Sequence, residues 1–355
     1  MKELIGLSHE ELAEEVALLG QPSFRAKQLW QWLYFFGETD FDKMTNLPKV
    51  FREKLKENYT ATHPKIISEQ ISSDGTRKWL MEFADKSRVE TVYIPESDRG
   101  AVCISSQVGC AQGCQFCHTG TQKCQRNLTA GEIVGQVMAA RDACQEWPTK
   151  TDENRLLSNI VFMGMGEPLY NFDSVKKAIL ILNDSAGMEF SKRKITVSTS
   201  GRADKIPLLS ELGVKLAVSL HAPNDEIRNK IMPINRKFPL EKLMAACRAY
   251  QQKSDRRSFI TMEYVMLKGI NDSLECAQEL IQLVKGLEVK FNLIPFHPWA
   301  GCSFECSSPH TIKQFSEYLE KHFFAAPVRR SRGEDIMAAC GQLKTAYQNN
   351  SNKNT

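Results

Sequence analysis

The chain has 355 residues, 42% of them hydrophobic, with 46 Lys and Arg against 42 Asp and Glu, a pI near 8.4 and eleven cysteines. That is enough apolar content for one large domain and a smaller one, but no run approaches the ~18 uninterrupted apolar residues of a membrane span. The opening MKELIGLSHEELAEE is too acidic for a signal peptide, and an odd cysteine count in so long a chain does not read as a disulfide framework, so a cytoplasmic protein with no membrane partner is expected.

Residues 1–62 read as a small helical accessory domain. Ser8 and Glu11 form a capping box before an amphipathic run, Ser23 to Phe36 carries Trp30, Trp32 and Leu33 as an apolar stripe, and a third helix spans Lys49 to Asn58 after Pro48. The stripe reads as core rather than as a platform for stacking bases. Over 63–95 the pattern switches to period two. KIISEQIS, the turn Ser73-Asp74-Gly75, TRKWLMEF and RVETVYIP predict an antiparallel β extension, which AVCISS continues.

From residue 96 to 345, strands and helices alternate. Strands are expected at 159–164, 194–201, 214–222, 258–267 and 289–296, with a short one near Val328, and helices at 129–144, 175–183, 203–212, 240–251, 273–284 and 311–323. This spacing predicts an α/β fold, a partial (βα)6 TIM-like barrel with functional residues at the C-terminal strand ends. The polar tail 346–355 is expected to be disordered.

Cys110, Cys114 and Cys117 stand in a C-x-x-x-C-x-x-C run on a glycine-containing loop after an apolar strand. Three thiolates can converge on one soft metal centre. A structural zinc site would close with a fourth ligand, His118, whereas three cysteines on a four-iron cluster leave one iron open for chemistry. The spacing resembles the radical S-adenosylmethionine (SAM) superfamily, in which the free iron of a 4Fe-4S cluster binds SAM and reduction yields a 5'-deoxyadenosyl radical.

Downstream, GMGEPLYN, RVETVYIP, VCISSQVGC, SLHAPND and ACGQL together look like the RlmN family of RNA methyltransferases, from about Arg88 to Leu343. The resemblance implies methylation of C2 of adenosine in 23S rRNA, at the peptidyl transferase centre, and in tRNA, 3' of the anticodon. It implies SAM contacts from Gly166, Glu167, Ser198, Ser219, Leu220 and His221. His297 stands where the family pattern has Asn. Cys340 would carry a methyl group as S-methylcysteine, Glu90 would accept the C2 proton, and Cys103 would form a transient disulfide with Cys340 to release the product. A monomer with a one-electron reductant of flavodoxin or ferredoxin type is expected. A relative that methylates C8 of adenosine shares these cysteines, and a zinc-stabilised RNA-binding protein without catalysis is the reading from another class.

Read alone, Cys340, Cys103 and Glu90 could each be ordinary packing or strand residues; their joint presence with the thiol triplet points to function. Cys144, Cys247 and Cys276 read as filler, and Cys124, Cys302 and Cys306 have no place in the chemistry. Between Glu226 and Arg257 nine Lys and Arg face three acidic residues, which with Arg329, Arg330 and Arg332 makes candidate phosphate contacts.

Overall fold

The computed structural model describes residues 1–96, 99–150, 155–254 and 259–345. The tail at 346–355, expected to be disordered, lies outside the described residues, as do Arg256 and Arg257. A two-residue strand, β1 (Lys2–Glu3), precedes helices α1 (His9–Leu18), α2 (Phe24–Tyr34) and α3 (Lys49–Asn58) and pairs in parallel with β2 (Tyr59–Thr60). Helix α1 starts where expected because Ser8 and Glu11 each take the other's backbone N–H, a cap that stabilises by about 1 kcal/mol. On α2, Trp30 and Leu33 are buried with Leu29 and Tyr34, while Trp32 is half-buried and donates its indole N–H to Asn46 (2.6 Å). Trp30 stacks on His9 (3.6 Å between centroids) and donates to Asp184, so this part of the stripe is core.

Strands β3 (Lys65–Ile71), β4 (Arg77–Glu82) and β5 (Arg88–Pro95) form the antiparallel meander, and β5 pairs antiparallel with β6 (Gly100–Cys103). A short ribbon, β7 (Gln107–Val108) with β8 (Arg126–Asn127), brackets the cysteine loop. Then follow α4 (Ala130–Ala143), β9 (Asn159–Phe162), α5 (Phe172–Asn183), β10 (Ile195–Thr199), β11 (Lys215–Ser219), α6 (Asp225–Ile231), α7 (Leu240–Lys253), β12 (Ile260–Met266), α8 (Leu274–Leu283), β13 (Val289–Pro295) and α9 (Pro309–Lys321).

Nine of these strands make one sheet in the order β13-β12-β11-β10-β9-β6-β5-β4-β3. Strands β6 and β9 to β13 run parallel, which gives the open partial (βα)6 barrel. AVCISS therefore ends the meander and also begins the barrel. Alternation reports which face a residue occupies, not the direction of the neighbouring strand, so the second role is hidden in the sequence. The strand expected near Val328 is a single parallel bridge to Leu293, and the helix expected over 203–212 is a 3-10 helix, Ile206–Leu212. There Pro207 occupies the first turn and Ser210 Oγ bonds back to the Pro207 carbonyl (2.7 Å), in competition with α-helical bonding. Helix α6 has no counterpart among the expected elements; Asn224 caps it by accepting the Ile227 N–H (3.0 Å).

Most buried residues of the helices, the meander and the barrel form one core, and a second, smaller cluster around Met232, Val265 and Phe296 includes the end of α6. Among the described residues, no helix is long and apolar enough to cross a membrane. The N-terminal helices dock through a close approach of backbones. A Cβ built on Gly131, in the first turn of α4, would lie 2.2 Å from the Ile5 carbonyl, and one on Gly6 2.3 Å from the Gly131 nitrogen. Overpacking of this kind costs about 1–3 kcal/mol. Gly131→Ala is therefore expected to lower the stability of the whole chain by that amount in denaturant unfolding; an unchanged midpoint would show that the N-terminal helices shift away without loss.

Candidate active site

The C-terminal ends of the parallel strands surround a cavity of about 1000 Å³, its mouth included. Cys110, Cys114 and Cys117 line it from the loop after β7, Gly166 and Glu167 from beyond β9, and Ser198 from β10. Ser219, His221, His297 and Cys340 complete the predicted residues on its wall. Leu220 is the exception. It is fully buried between Ser219 and His221 and does not line the cavity.

The three thiols sense one another. Burial pushes Cys110 up to about 12 and raises Cys114 and Cys117 as well, with neighbouring thiols adding to the effect. Such thiols ionise only when a bound cation compensates the charge, and a soft donor set of this kind suits an iron-sulfur cluster. Among the described residues no three His, Cys, Asp or Glu side chains come close enough to hold a single metal ion. His118, the fourth ligand of a zinc knuckle, is instead stacked flat on Trp299 (4.6 Å, 9°), whose indole donates to the Phe116 carbonyl (3.1 Å).

Glu167 is only 2% exposed. Its Oε2 accepts both the N–H and the hydroxyl of Ser200 (2.6 Å each), and its Oε1 accepts the Leu169 N–H (3.0 Å). Burial raises its pKa and these bonds pull it back, leaving a rigid carboxyl that can receive an ammonium. Gly166 has φ +96°, and a Cβ there would lie 2.5 Å from Gln107 Cβ, so the backbone here approaches β7 closely. Within STSG the sequence points to Ser198, whereas Ser200 is the residue that grips Glu167. Ser200 also lies 3.1 Å from Gln112 Oε1, which joins the cysteine loop to the Glu167 corner.

Burial, with the nearby Arg228 cation, pushes the His221 ring down to about 3, so it is neutral. Its Nδ1 accepts the Val265 N–H (3.0 Å), which leaves the ring proton on Nε2. Arg228 belongs by sequence to the candidate phosphate contacts, yet it is fully buried. Its guanidinium donates to the carbonyls of Ser200 (2.7 Å), Ser219 (3.0 Å) and Leu220 (3.0 Å) and to Asn235 Oδ1 (2.8 Å), tying the ends of β10 and β11 together.

A second, smaller cavity adjoins the first. They share Met163, Ile294, His297, Arg329 and Cys340, and Cys103, Val92 and Ile94 line the smaller one. Cys340 therefore opens onto the thiol-lined cavity on one side and onto the pocket of Cys103 on the other. Both are free thiols, and burial, with Cys340 adding, pushes Cys103 up to about 12. Arg329 also turns inward. Cys340, and then Glu263 and Cys103, when ionised, raise its pKa against the effect of burial.

Glu90 sits on the same face of β5 as Val92 and Ile94 but lines neither cavity. Its Oε2 accepts the Lys344 N–H (2.7 Å) and its Oε1 is 3.7 Å from Lys78 Nζ. Burial raises its pKa, and the Lys78 ammonium and the Lys344 amide restrain the rise. His297 Nε2 lies 2.6 Å from Ser331 Oγ, so the ring is engaged with the segment that leads to Cys340.

Residues 104–284 match the radical SAM superfamily, and residues 2–60 match the ribosomal RNA large subunit methyltransferase N-terminal domain. The dual-specificity RNA methyltransferase RlmN of Rhodospirillum rubrum is 59% identical over 96% of this chain and 80% of its own length. That of Paramagnetospirillum magneticum is 56% identical over 97% of this chain and 76% of its own. A solved radical SAM methyltransferase from Sphaerobacter thermophilus, 43% identical, superposes with a TM-score of 0.90 over 97% of this chain and 99% of that one. With its open six-stranded parallel barrel and its three-thiol cavity, the chain belongs to the RlmN family of radical SAM methyltransferases, which use a 4Fe-4S cluster and SAM.

Proposed function

We propose that this chain methylates C2 of adenosine in 23S rRNA, at the peptidyl transferase centre, and in tRNA, 3' of the anticodon, through a methyl group carried on Cys340. The observation that carries the reading is the place of Cys340 at the junction of the two cavities. The relatives' printed name, dual-specificity RNA methyltransferase, agrees with it.

Cys110, Cys114 and Cys117 would hold the cluster. Glu167 would take the ammonium of SAM, His221 would donate from Nε2, and Gly166, Ser198 and Ser219 would complete the walls. Bound there, the cluster and SAM supply a methyl group and a one-electron oxidant for it. C2 of adenine has no lone pair, so a carbon radical on the Cys340 methyl group can add where polar transfer fails. The adduct then holds RNA to the protein through S–CH2–C2.

Release requires loss of the C2 proton and cleavage of the S–CH2 bond. Glu90 is the proposed acceptor of that proton, its basicity increased by burial. Cys103 attacks the Cys340 sulfur, a disulfide forms, the electron pair of the S–CH2 bond leaves with the base and takes up a proton to give the methyl group, and the unpaired electron left by the radical addition passes to a one-electron carrier. Arg329, facing both sulfurs, favours the thiolate that attacks. Of the basic segment, Arg236, Lys237, Lys242, Arg248 and Lys253 are exposed and can meet phosphates, unlike Arg228. The reading extends to a cytoplasmic monomer fed by a flavodoxin or ferredoxin, with an accessory domain at 1–62, an antiparallel extension at 63–95 and a catalytic core at 96–345.

The test is anaerobic incubation of the reconstituted enzyme with methyl-deuterated SAM and rRNA or tRNA, followed by nucleoside and peptide mass spectrometry. Labelled 2-methyladenosine and a labelled methyl group on Cys340 are expected. A product that is only 8-methyladenosine overturns the C2 assignment, and an unmodified Cys340 beside cleaved SAM overturns the relay. Cys103→Ala is expected to accumulate a covalent RNA–protein adduct, visible as a shifted band on a denaturing gel, while Cys340→Ala forms none.

The pH dependence of adduct release follows from Glu90. A proton acceptor must be ionised, so release should fall as pH drops through a value above the ordinary glutamate range. Lys78→Met removes the cation that holds this pKa down and is expected to move the acid limb to higher pH. A limb that stays in place would disconnect Lys78 from Glu90.

A further inference from the structure

Beside the smaller cavity, the β3–β4 turn and the segment leading into Cys340 hold each other by crossed bonds. Asp335 accepts the Ser72 hydroxyl at Oδ1 (2.5 Å) and the Ser73 N–H at Oδ2 (3.1 Å). In the opposite direction, Asp74 Oδ2 accepts the Gly333 N–H (3.1 Å) and lies 3.9 Å from the Arg332 guanidinium. Further along the hairpin, Lys78 Nζ donates to the Met337 carbonyl (3.3 Å).

The turn that makes these bonds is itself rigid. Asp74 Oδ1 accepts the Thr76 N–H (3.0 Å); burial alone would raise the carboxyl, but the bonds from Thr76, Gly333 and Ser72 hold it at about 2. The approach is also close. Gly333 has φ +63°, and a Cβ there would lie 2.9 Å from Thr76 Cγ2 and 2.8 Å from Ala338 Cβ. Beyond Met337, the small residues Ala338 and Ala339 rest on the wall that holds Val92, Ile94 and Cys103. Two alanines bury little apolar surface, so the wall alone fixes the depth of the segment and not its position along the wall.

We infer that the antiparallel extension is a cradle for the Cys340 segment, in which the crossed contacts of Asp74 and Asp335 set where Cys340 stands between the thiol-lined cavity and Cys103. Both aspartates are positioning residues, for they touch neither substrate nor reacting atoms. Their effect is to raise the effective concentration of one thiol at the other. The inference rests on the proposed pairing of Cys340 with Cys103, and the test separates the two.

The reconstituted holoenzyme is equilibrated anaerobically with mixtures of oxidised and reduced dithiothreitol, and the Cys103–Cys340 disulfide is quantified by peptide mass spectrometry. Oxidised dithiothreitol takes up two electrons and two protons as the two thiols close. Asp335→Ala leaves the Asp74 turn intact and is expected to lower the equilibrium constant for closure about tenfold, the scale of one to two lost hydrogen bonds. Ser72→Ala should act in the same direction, and the double variant should fall by less than the sum of the two single losses, because the two share one interaction. Asp335→Asn, which keeps an oxygen for Ser72, should restore part of the loss.

Wild-type equilibria in Asp335→Ala and Ser72→Ala overturn the cradle. If the wild-type chain forms no such disulfide, that failure belongs to the pairing of the two thiols, and amide hydrogen exchange over residues 333–342 then decides. Exchange about tenfold faster in Asp335→Ala supports the cradle, and unchanged exchange overturns it.

Discussion

Strand β6 is hydrogen-bonded along both edges, parallel to β9 and antiparallel to β5, and the position of the site follows from that double pairing. Cys103 stands opposite Val92 on one side and Val161 on the other, so its thiol cannot move without disturbing two ladders. The exit of the strand is held as firmly. Gln136 of α4 accepts the Ser105 N–H (2.8 Å) and donates to the Ser105 carbonyl (2.9 Å), standing in for a third strand, while Ser105 Oγ donates to the Glu90 carbonyl (2.7 Å). Buried groups of this kind cost about 1–3 kcal/mol each when left unpaired, so the cysteine loop leaves the sheet in one direction only.

A second constraint is electrostatic. The interior of the barrel mouth is rich in thiols that burial keeps protonated, yet it contains two guanidinium groups, Arg228 and Arg329. Among the described residues Arg228 is bonded to carbonyls and an amide oxygen, with no carboxylate among its hydrogen-bond partners. Burial lowers its pKa to about 10, and the largest opposing influence is Cys114. A cation that no carboxylate hydrogen-bonds is expensive in a low-dielectric interior, and after Cys114 the charge of Asp225 offsets part of that cost.

Signals that act over a few residues are legible in the sequence. The Ser8–Glu11 box, the limits of α3 after Pro48 and the strand RVETVYIP all lie where local chemistry places them, and the spacing of Cys110, Cys114 and Cys117 announces a shared cavity. What stays hidden depends on partners far away in the chain. Charge alone does not distinguish Arg228, folded inward onto three carbonyls, from the exposed Arg248 on the next helix. In STSG the choice between Ser198 and Ser200 turns on where Glu167 lies, and the engagement of His297 with Ser331 has no signature in either segment. Asp74 and Asp335 each resemble an ordinary turn residue until the fold sets them face to face.

The residues after Cys340 run across the cysteine loop as a strap. His118 donates its backbone N–H to the Gly341 carbonyl (2.7 Å), Thr119 its hydroxyl to that of Leu343 (2.5 Å), and Gln122 its amide to Thr345 Oγ1 (2.8 Å), while Lys344 holds Glu90. These bonds couple the strap to the loop, so a displacement of the residues that follow Cys340 is passed directly to the backbone that carries Cys114 and Cys117.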